Sequence, residues 1–533
     1  MPYPYKSFRD WFAAEEEYGE VVRIKTPIKC GDYDNLVELG QGIPGKRPET
    51  EMRALARYLH SLPGKPMGLI ENPVNNRPDI PVVVNPWATR ERVLRGMGLK
   101  TNEDLINKFN HMQKNNIKPV VVSREEAPCK ENIIPEDKLD LRKDISRCWV
   151  EFNQCLWTLC NGTVIVRDEK SGNHSLGKCR LGQCEWGGTD QNELAPEERT
   201  KRYMIATMNR GGPRLSNSGK FYMAHRAQGK PAPMAYVFGL PTDVHEVAAL
   251  KALQWPESGD EYEMLGAFRG EPIEVVESET IPGLMVPAHA EWVVEGEFSF
   301  EEELTPYCGE DFFAGFMIGN ITWPVFKVRC ITHRKNPWWA ATTFSSNGLH
   351  GHEGTHSGLA VMHQEADATI YLRSLGFKVR DVACLVGPMV TVIQLDVDGM
   401  QKPYPYYGKK VGMALATYGA HVTSSYIIVV GPDIDPRDSM DVWWAIAMYT
   451  LPVTDQIAMT DTLGGGGGFG SRTETANIPM SERRLYEHTG EQVIIDATTP
   501  IPERYDAWQP RTEPPDWERA AIERMSKKIG RLE

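Results

Sequence analysis

The 533-residue sequence lacks the features that mark membrane, secreted and nucleic-acid-binding proteins. It contains no run of 18 or more apolar residues, so it predicts no transmembrane helix. The N-terminal segment MPYPYKSFRDWFAAEEEYGE has early acidic side chains and no apolar stretch, so we expect no signal peptide. Acidic side chains outnumber basic ones by 72 to 59, and the formal charge of −13 argues against broad binding to nucleic acid or to anionic membranes.

Cysteine pairs with metal-site spacing are also missing. The ten cysteines are scattered and none forms a CxxC motif, and the spacing of Cys155 and Cys160, or of Cys179 and Cys184, is not that of a zinc ribbon. We therefore expect reduced thiols, mostly in the core of a cytoplasmic protein. The content of 41% hydrophobic and 25% charged residues is typical of a soluble globular protein, and the length predicts two or three domains.

Hydrophobic periodicity divides the chain into three parts, which we interpret as domains. Residues 1–120 mix helix and strand patterns, residues 121–335 are rich in strand patterns broken by Gly and Pro, and residues 336–533 return to an α/β pattern. The predicted fold class is therefore α/β with α+β character, with a central domain resembling a β-barrel or sandwich. Residues 183–201 are polar and turn-rich, which indicates a surface loop.

The periodicity also predicts individual elements. The predicted helices are residues 8–18, 89–97, 102–113, 356–375, 439–449 and 516–529, and the predicted strands are residues 21–24, 80–85, 158–166, 234–238, 273–276, 292–297, 325–332, 390–395 and 426–430.

The most distinctive stretch is residues 271–296, EPIEVVESETIPGLMVPAHAEWVVEG, with six carboxylates in an apolar frame. Alternation on both sides of a Pro-Gly turn predicts two strands. Glu274 and Glu279 are an odd number of residues apart, so they share one face only if a bulge or bend intervenes. Carboxyl groups beside apolar side chains can keep a proton near neutral pH, which suits proton transfer. A hairpin with a solvated acidic face is the alternative that the pattern leaves open.

Four segments, in the same order along the chain, resemble the UbiD family of reversible decarboxylases. They are APCKEN at 127–132, the Glu274/Glu279 pair with the following VPAHAEWVVEG, ITHRKNP at 331–337, and GPDID at 431–435 with DVWWA at 441–445. The resemblance implies a decarboxylase that uses prenylated FMN, a divalent metal (Mn²⁺, Mg²⁺ or Fe²⁺) and K⁺. It also implies a flavin-binding central domain and a C-terminal α/β domain for homo-oligomerisation, as a dimer or hexamer.

The resemblance also implies roles for individual residues. Arg180, Glu274 and Glu279 are the expected catalytic residues, with Glu279 as the acid, Arg180 orienting Glu279 and the substrate, and Glu274 holding Arg180. Ser175, Asn209 and Glu261 are the expected metal ligands, where Ser175 replaces the family's Asn and Asn209 its His. The residues expected to contact the cofactor are Ser175, Gly177, Lys178, Cys179, Arg180, Met208, Asn209 and Glu261.

The substrate implied by the resemblance is an aromatic carboxylic acid or its CoA thioester. Gly419 and Tyr449 stand where members often carry Lys and Arg, so the chain is more similar to divergent members, including phthaloyl-CoA decarboxylase (phthaloyl-CoA to benzoyl-CoA and CO₂). A plain or polycyclic benzoic acid stays open as the substrate. A flavin prenyltransferase is the expected cofactor supplier.

Two other interpretations remain at this stage. One is a non-catalytic flavin-binding paralogue, or a subunit of an aromatic carboxylase complex. The other is a zinc peptidase, because residues 352–356 read HEGTH and match HExxH. That copy lies in a Gly-rich context that disfavours a helix, and no third ligand follows at the usual spacings. The glycine run 464–468 lacks the Lys-Ser/Thr of a nucleotide-binding loop.

Overall fold

The computed structural model describes most of the chain. The described ranges are residues 3–31, 51–74, 77, 79–112, 114–146, 148, 158–183, 201–206, 217–249, 259–300, 304–310, 317–341, 357–385, 389–418, 424–462, 490–499 and 516–529. The predicted surface loop, the HExxH segment, the glycine run, Met208, Asn209 and Gly419 lie outside these ranges, apart from residues 183 and 201 at the ends of the loop.

The described helices and strands alternate along the chain. The helices are α1 (Phe8–Glu17), α2 (Glu51–Ser61), α3 (Arg90–Gly96), α4 (Asn102–Met112), α5 (Leu141–Asp144), α6 (Asn217–Ala227), α7 (Thr242–Ala249), α8 (Glu261–Arg269), α9 (Ser357–Ser374), α10 (Tyr407–Ala416), α11 (Ser439–Tyr449) and α12 (Asp516–Ile529). The strands are β1 (Val21–Ile24), β2 (Ile28–Lys29), β3 (Met67–Ile70), β4 (Pro73–Val74), β5 (Val82–Val84), β6 (Val120–Val121), β7 (Asn132–Pro135), β8 (Thr158–Arg167), β9 (His174–Gln183), β10 (Tyr203–Ala206), β11 (Ala232–Phe238), β12 (Glu274–Glu277), β13 (Met285–Pro287), β14 (Trp292–Phe298), β15 (Leu304–Glu310), β16 (Met317–His333), β17 (Trp339–Ala341), β18 (Val379–Cys384), β19 (Val390–Leu395), β20 (Tyr426–Val430), β21 (Gln456–Thr462) and β22 (Gly490–Ala497). The predicted α/β class is confirmed.

The N-terminal part is a small sheet with helices packed on it. Helix α1 begins where the Ser7 side chain accepts a hydrogen bond from the Asp10 amide and the Asp10 side chain accepts one from the Ser7 amide, which satisfies two free amides of the first turn. Its buried face carries Trp11, which stacks on Trp87 at 5.8 Å between ring centroids. The sheet has the order β1-β3-β5-β17. Its last strand is supplied by residues that follow the central domain, so the chain returns to the first sheet after residue 338.

The central part is built from strands that pair in a closed circuit. The order is β10-β9-β8-β11-β14-β16, and β10 pairs again with β16. Tyr236, Phe298 and Phe326 pack inside it with ring centroids 5.0 Å apart in two of the pairs. Strand β14 has a bulge at Glu295 and Gly296, and a side chain at Gly296 would meet the Lys327 carbonyl at 2.1 Å. Glycine is therefore required at this crossing.

The acidic stretch forms three strands in two sheets. Strand β12 pairs with β13 and, in parallel, with β6, whereas β14 belongs to the closed circuit. The segment after the Pro-Gly turn, predicted as one strand, thus forms two strands, β13 and β14. Residues 288–291 connect them and cross from one sheet to the other. Glu291 lies at this crossing and is fully buried.

The C-terminal part is a sheet of order β18-β19-β20-β22-β21, with α9 and α10 beside it. Glu365 of α9 joins this part to the N-terminal helices, because it accepts hydrogen bonds from Arg90 at 2.6 Å and from Arg437 at 3.2 Å. Strands β19 and β20 and helices α11 and α12 begin and end at the predicted residues. In the described part of the chain, no helix has the length and apolar character needed to cross a membrane.

Glu291 provides a test of how the N-terminal helix is fixed. Its carboxylate accepts two hydrogen bonds from Arg9 of α1, at 2.8 and 2.7 Å, and one from the Trp338 amide at 2.8 Å. Glu291→Ala leaves the partly exposed Arg9 and the Trp338 amide without this acceptor, so we expect it to lower the free energy of unfolding by about 1–3 kcal/mol. Urea denaturation followed by tryptophan fluorescence measures this change.

The matched control is Glu16→Ala, which removes an exposed carboxylate paired with Arg23 at 2.5 Å. An exposed pair contributes less than about 1 kcal/mol. Equal losses of stability in the two variants would contradict the role given to Glu291.

Candidate active site

A buried carboxylate forms the centre of the candidate site. Glu261 is the first residue of α8, whose N-terminus is capped by Asp260. One carboxylate oxygen of Glu261 accepts hydrogen bonds from the Ser175 hydroxyl and from the Asn217 amide, both at 3.0 Å. The other oxygen accepts one from the Leu176 backbone amide at 2.5 Å. Two of the three predicted metal ligands, Ser175 and Glu261, are therefore in direct contact.

Burial raises the pKa of Glu261 to about 7, and the hydrogen bonds from Leu176, Ser175 and Asn217 oppose this effect. Within the described ranges, no basic side chain pairs with this carboxylate. A buried carboxylate without a cationic partner is stabilised by a bound cation. The Ser hydroxyl, the Asn amide oxygen after a flip of the amide, and the carboxylate are hard oxygen ligands, which suit Mg²⁺ or Mn²⁺. The residues present therefore fit a divalent metal.

Asn217 was not predicted from the sequence. It begins α6 and donates hydrogen bonds to both Ser175 and Glu261, each at 3.0 Å. Asn at a helix start is common as a capping residue, so its type and position gave no signal of a ligand. The predicted ligand Asn209 and the neighbouring Met208 lie outside the described residues, and their role stays a prediction.

Next to Glu261, strand β9 has an edge without a strand partner among the described residues, and we call it the open edge. Its pairing with β10 covers Leu181 to Gln183, whereas its pairing with β8 extends back to His174. The Leu176 amide points away from β8, toward Glu261, and successive backbone groups alternate with a period of two. The amides of Lys178 and Arg180 therefore point off the same edge.

This edge carries the other residues expected to contact the cofactor. The side chains of Cys179 and Arg180 lie outside the described part, although their backbone belongs to β9. Gly177 is closely packed, since a side chain there would meet Val164 at 3.2 Å. The edge offers backbone donors to an elongated ligand that starts at Glu261.

Glu274 lies in a different environment from the one predicted. It pairs with Lys6 at 2.7 Å and with His289 at 2.5 Å, at the wall of a cavity of about 290 Å³ that Arg269 also lines. The hydrogen bond from Lys6, followed by that from His289, lowers the pKa of Glu274. This group is therefore ionised at neutral pH, and Lys6 and His289 are its partners.

Glu279 follows β12 and lines a second cavity, of about 510 Å³, together with Glu136 and Arg329. Its carboxylate lies 3.4 Å from Lys130 and 3.5 Å from Arg124. No residue lines both cavities. Among the described residues, Glu274 and Glu279 thus meet different basic partners. The side chain of Arg180, which was expected to join them, lies outside the described part, so the roles given to these three residues stay predictions.

The backbone around Glu279 is fixed by the fully buried Glu295. Its carboxylate accepts hydrogen bonds from the Glu279 and Thr280 amides at 3.0 and 2.8 Å, and from the Ser278 hydroxyl at 2.7 Å. Lys130, from the APCKEN segment, lies 3.4 Å from both Glu279 and Glu295. Lys130 of the APCKEN segment thus helps to hold Glu279 in place, a role that the composition of the segment did not reveal.

The zinc-peptidase interpretation has no structural counterpart in the described ranges. They contain no group of three or more His, Cys, Asp or Glu side chains that could hold a metal ion. The HExxH segment itself lies outside them. The Ser175–Asn217–Glu261 site is not such a group, since Glu261 is its one member among these four residue types.

Three models of one protein family match successive parts of the chain. The N-terminal, Rift-related and C-terminal domain models of 3-octaprenyl-4-hydroxybenzoate carboxy-lyase match residues 46–109, 120–347 and 360–497. The chain therefore belongs to the UbiD family, which confirms the resemblance seen in the four sequence segments. The family description is that of carboxy-lyases, so the predicted enzyme class is also confirmed.

Proteins of known activity are similar over nearly the whole chain. A phenolic acid decarboxylase of Bacillus subtilis (strain 168) is 24% identical over 543 residues, covering 98% of this chain and 100% of that protein. The closed form of the vanillic acid decarboxylase of Sedimentibacter hydroxybenzoicus is 21% identical with a TM-score of 0.71, covering 99% of each chain. The UbiD-class enzyme HmfF of Pelotomaculum thermopropionicum, in complex with prFMN, is 19% identical with a TM-score of 0.70, covering 96% of this chain and 98% of that one. These structures share the fold.

The metal site predicts a pH-dependent affinity. The carboxylate of Glu261, not its protonated form, binds a cation, and its pKa of about 7 means that protons compete below neutrality. We expect the Mn²⁺ dissociation constant to rise roughly tenfold between pH 8 and pH 6, and Glu261→Gln to abolish binding at both values. Titration calorimetry, or the electron paramagnetic resonance signal of free Mn²⁺, measures the affinity.

Glu263→Gln is the matched control, since Glu263 lies on the same helix and is only half-buried. This variant should bind Mn²⁺ as the wild type does. Unchanged Mn²⁺ affinity in Glu261→Gln would place the cation elsewhere.

Proposed function

We propose that this chain decarboxylates an aromatic carboxylic acid and binds prenylated FMN together with a divalent metal and K⁺. The observation that supports this function is the Ser175–Asn217–Glu261 contact at the end of the open edge of β9. A metal there would neutralise both Glu261 and a cofactor phosphate, which matters in a protein whose formal charge is −13. Asn209 remains the third proposed ligand.

The residues of β9 would hold the cofactor along its length. The amides of Leu176, Lys178 and Arg180 alternate on the open edge, which leads away from the proposed phosphate end. When bound, prenylated FMN supplies an electron sink for the carbon that carries the carboxylate. We propose that Arg180 orients the substrate carboxylate, because a guanidinium binds a carboxylate through two parallel hydrogen bonds.

Decarboxylation replaces a carboxylate with a proton, so the reaction consumes one proton for each CO₂ released. We propose Glu279 as the acid, since its backbone is fixed by Glu295 and its carboxyl group lines a cavity. Lys130 and Arg124 lie 3.4 and 3.5 Å from this carboxyl group. Glu274, paired with Lys6 and His289, has no proposed part in proton transfer.

The proposed substrate class rests on what the similar proteins act on. Their names give phenolic acid, vanillic acid and 3,4-dihydroxybenzoic acid decarboxylases, which are all enzymes of aromatic acids. Within that class we propose an aromatic acid or its CoA thioester, such as phthaloyl-CoA. A flavin prenyltransferase would supply the cofactor in the cytoplasm.

A homo-oligomer, as a dimer or hexamer, is part of the proposal. Helix α11 exposes Met440, Trp443 and Met448, with 74%, 64% and 60% of their surfaces accessible. Exposed apolar side chains on one helix are typical of an interface between protein chains. The C-terminal α/β domain would therefore serve in assembly.

A non-catalytic flavin-binding paralogue, or a subunit of an aromatic carboxylase complex, is the second candidate. The observation that favours it is the separation of Glu274 from Glu279 into two cavities. Both candidates bind flavin, so only turnover separates them.

Two isosteric variants test the proposed acid. Glu279→Gln removes the proton donor without altering the metal site, so we expect turnover to fall by at least about 100-fold at unchanged flavin content. Glu274→Gln is the control and should retain turnover within about threefold, because among the described residues its carboxylate pairs with Lys6 and His289. The rate of CO₂ release and the flavin absorbance of each purified variant provide the measurements.

Wild-type turnover in Glu279→Gln would reject this residue as the acid. A larger loss in Glu274→Gln than in Glu279→Gln would reverse the two assignments. No CO₂ release from wild-type protein that carries the cofactor, across aromatic acids and their CoA thioesters, would favour the non-catalytic candidate.

A further inference from the structure

A buried polar cluster lies behind β9, between this strand and α7. Its members are Lys178 of β9 and the adjacent His245 and Glu246 of α7. The Lys178 ammonium nitrogen and both carboxylate oxygens of Glu246 are buried and have no hydrogen-bond partner among the described residues, and the buried His245 ring interacts with the Leu240 backbone. His245 and Glu246 are 1% and 0% exposed. We refer to these three residues as the β9–α7 cluster.

The three unpartnered polar atoms of Lys178 and Glu246 cannot all remain dry. Each buried donor or acceptor that lacks a partner costs stability, and native proteins satisfy such groups with protein, water or ligand. No hydrogen bond joins Lys178 to Glu246, so the cluster differs from a buried ion pair that serves packing alone. The β9–α7 cluster is therefore expected to hold ordered water between its polar groups.

Burial also sets the charges of the cluster. It lowers the pKa of Lys178 to about 8, against the attraction of Glu246, and raises the pKa of Glu246 to about 8. The pKa of His245 is well below its ordinary value because of burial and the nearby Lys178. His245 is thus neutral, and its ring packs on Trp87 at 4.9 Å between centroids.

Groups from other elements complete the surroundings. His363 of α9 lies 3.8 Å from a Glu246 oxygen, and Arg90 and Glu365 act on Glu246 from a greater distance. None of these neighbours donates a hydrogen bond to Glu246. Lys178 is therefore the cationic residue of the cluster, and it belongs to β9.

The position of Lys178 along β9 relates the cluster to the candidate site. It lies three residues after Ser175 and two before Arg180, which corresponds to about 10 Å and about 7 Å along an extended strand. A cofactor that follows the open edge from the metal site to Arg180 must pass Lys178. The Lys178 residue as a whole is half-buried, whereas its ammonium nitrogen is buried.

We propose that Lys178, supported by the water and the carboxyl group of the β9–α7 cluster, is a positioning residue whose positive charge stabilises negative charge on the flavin ring. This inference rests on the proposed function, because it needs a flavin along β9. A cation near a flavin favours the reduced, more negative ring, and the effect is strong in a buried, weakly screened site. The residue acts through its field and does not enter the reaction.

The midpoint potential of bound FMN tests the proposal without any measurement of turnover. The full-length protein is reconstituted with FMN, Mn²⁺ and K⁺, and the potential is measured at pH 7 against a reference dye. We expect Lys178→Met and Lys178→Gln to shift the potential of bound FMN to more negative values than in the wild type. Lys178→Arg retains the charge and should restore the wild-type potential.

Lys170→Met is the matched control, because Lys170 is an exposed lysine in the turn between β8 and β9. It should leave the potential unchanged. The two neutral variants of Lys178 differ in polarity. If Lys178→Met does not fold because the position requires a polar side chain, Lys178→Gln still tests the role of the charge.

The outcomes separate the inference from the proposed function. FMN bound to both neutral variants at the wild-type potential would overturn the role of Lys178 and leave the proposed function in place. Wild-type protein that binds neither FMN nor prenylated FMN in the presence of Mn²⁺ would contradict the proposed function, and the inference with it. A shift in Lys178→Arg as large as in Lys178→Met would also overturn the inference, because the charge would then not be its cause.

Discussion

The cost of burying a carboxylate is the constraint on which this structure depends. Glu291 and Glu295 are fully buried, and each is stabilised by a basic side chain together with backbone amides. Glu261 is also buried, but among the described residues its hydrogen-bond donors are the neutral groups of Ser175, Leu176 and Asn217. The first two carboxylates join parts of the chain, whereas the third has the oxygen neighbours that suit a cation. The difference in partners, not in burial, separates the structural carboxylates from the candidate ligand.

The same reasoning explains how the parts of the chain meet. Glu291 fixes α1 against β14 and the segment that leads to β17, and Glu365 joins α9 to Arg90 and Arg437. Strand β17 then completes the first sheet. The candidate site is thus formed by long-range contacts between elements that are distant in sequence.

The sequence predicted elements whose signal is local. Strands β19 and β20 are short apolar runs flanked by turn residues, and α11 and α12 have helical periodicity, so their bounds agree with the prediction. Helices α7 and α8 were not predicted, since they are buried on nearly all sides and show no contrast between an apolar and a polar face. Their polar residues include Glu246 of the β9–α7 cluster and Glu261 of the candidate metal site.

The candidate site was only partly predictable for a related reason. The family resemblance placed Ser175 and Glu261, which the structure brings together, but it could not reveal Asn217, whose part depends on a contact across 44 residues. The resemblance also gave no sign that Lys6, 268 residues away, binds Glu274, whereas the expected contact of Glu274 with Arg180 involves a side chain outside the described part. Hydrophobic periodicity and short motifs do not predict contacts between residues that are distant in sequence. Partners that are distant in sequence decide which carboxylates are available for chemistry.

The central claim is that this chain of the UbiD family holds a flavin along the open edge of β9 with a metal at Glu261. The most direct measurement is the absorbance and mass spectrum of the small molecule released from protein that is co-produced with a flavin prenyltransferase, together with the metal content of the same sample. The account predicts prenylated FMN and a divalent metal, each near one equivalent per chain. Folded protein that contains neither flavin nor divalent metal would contradict it.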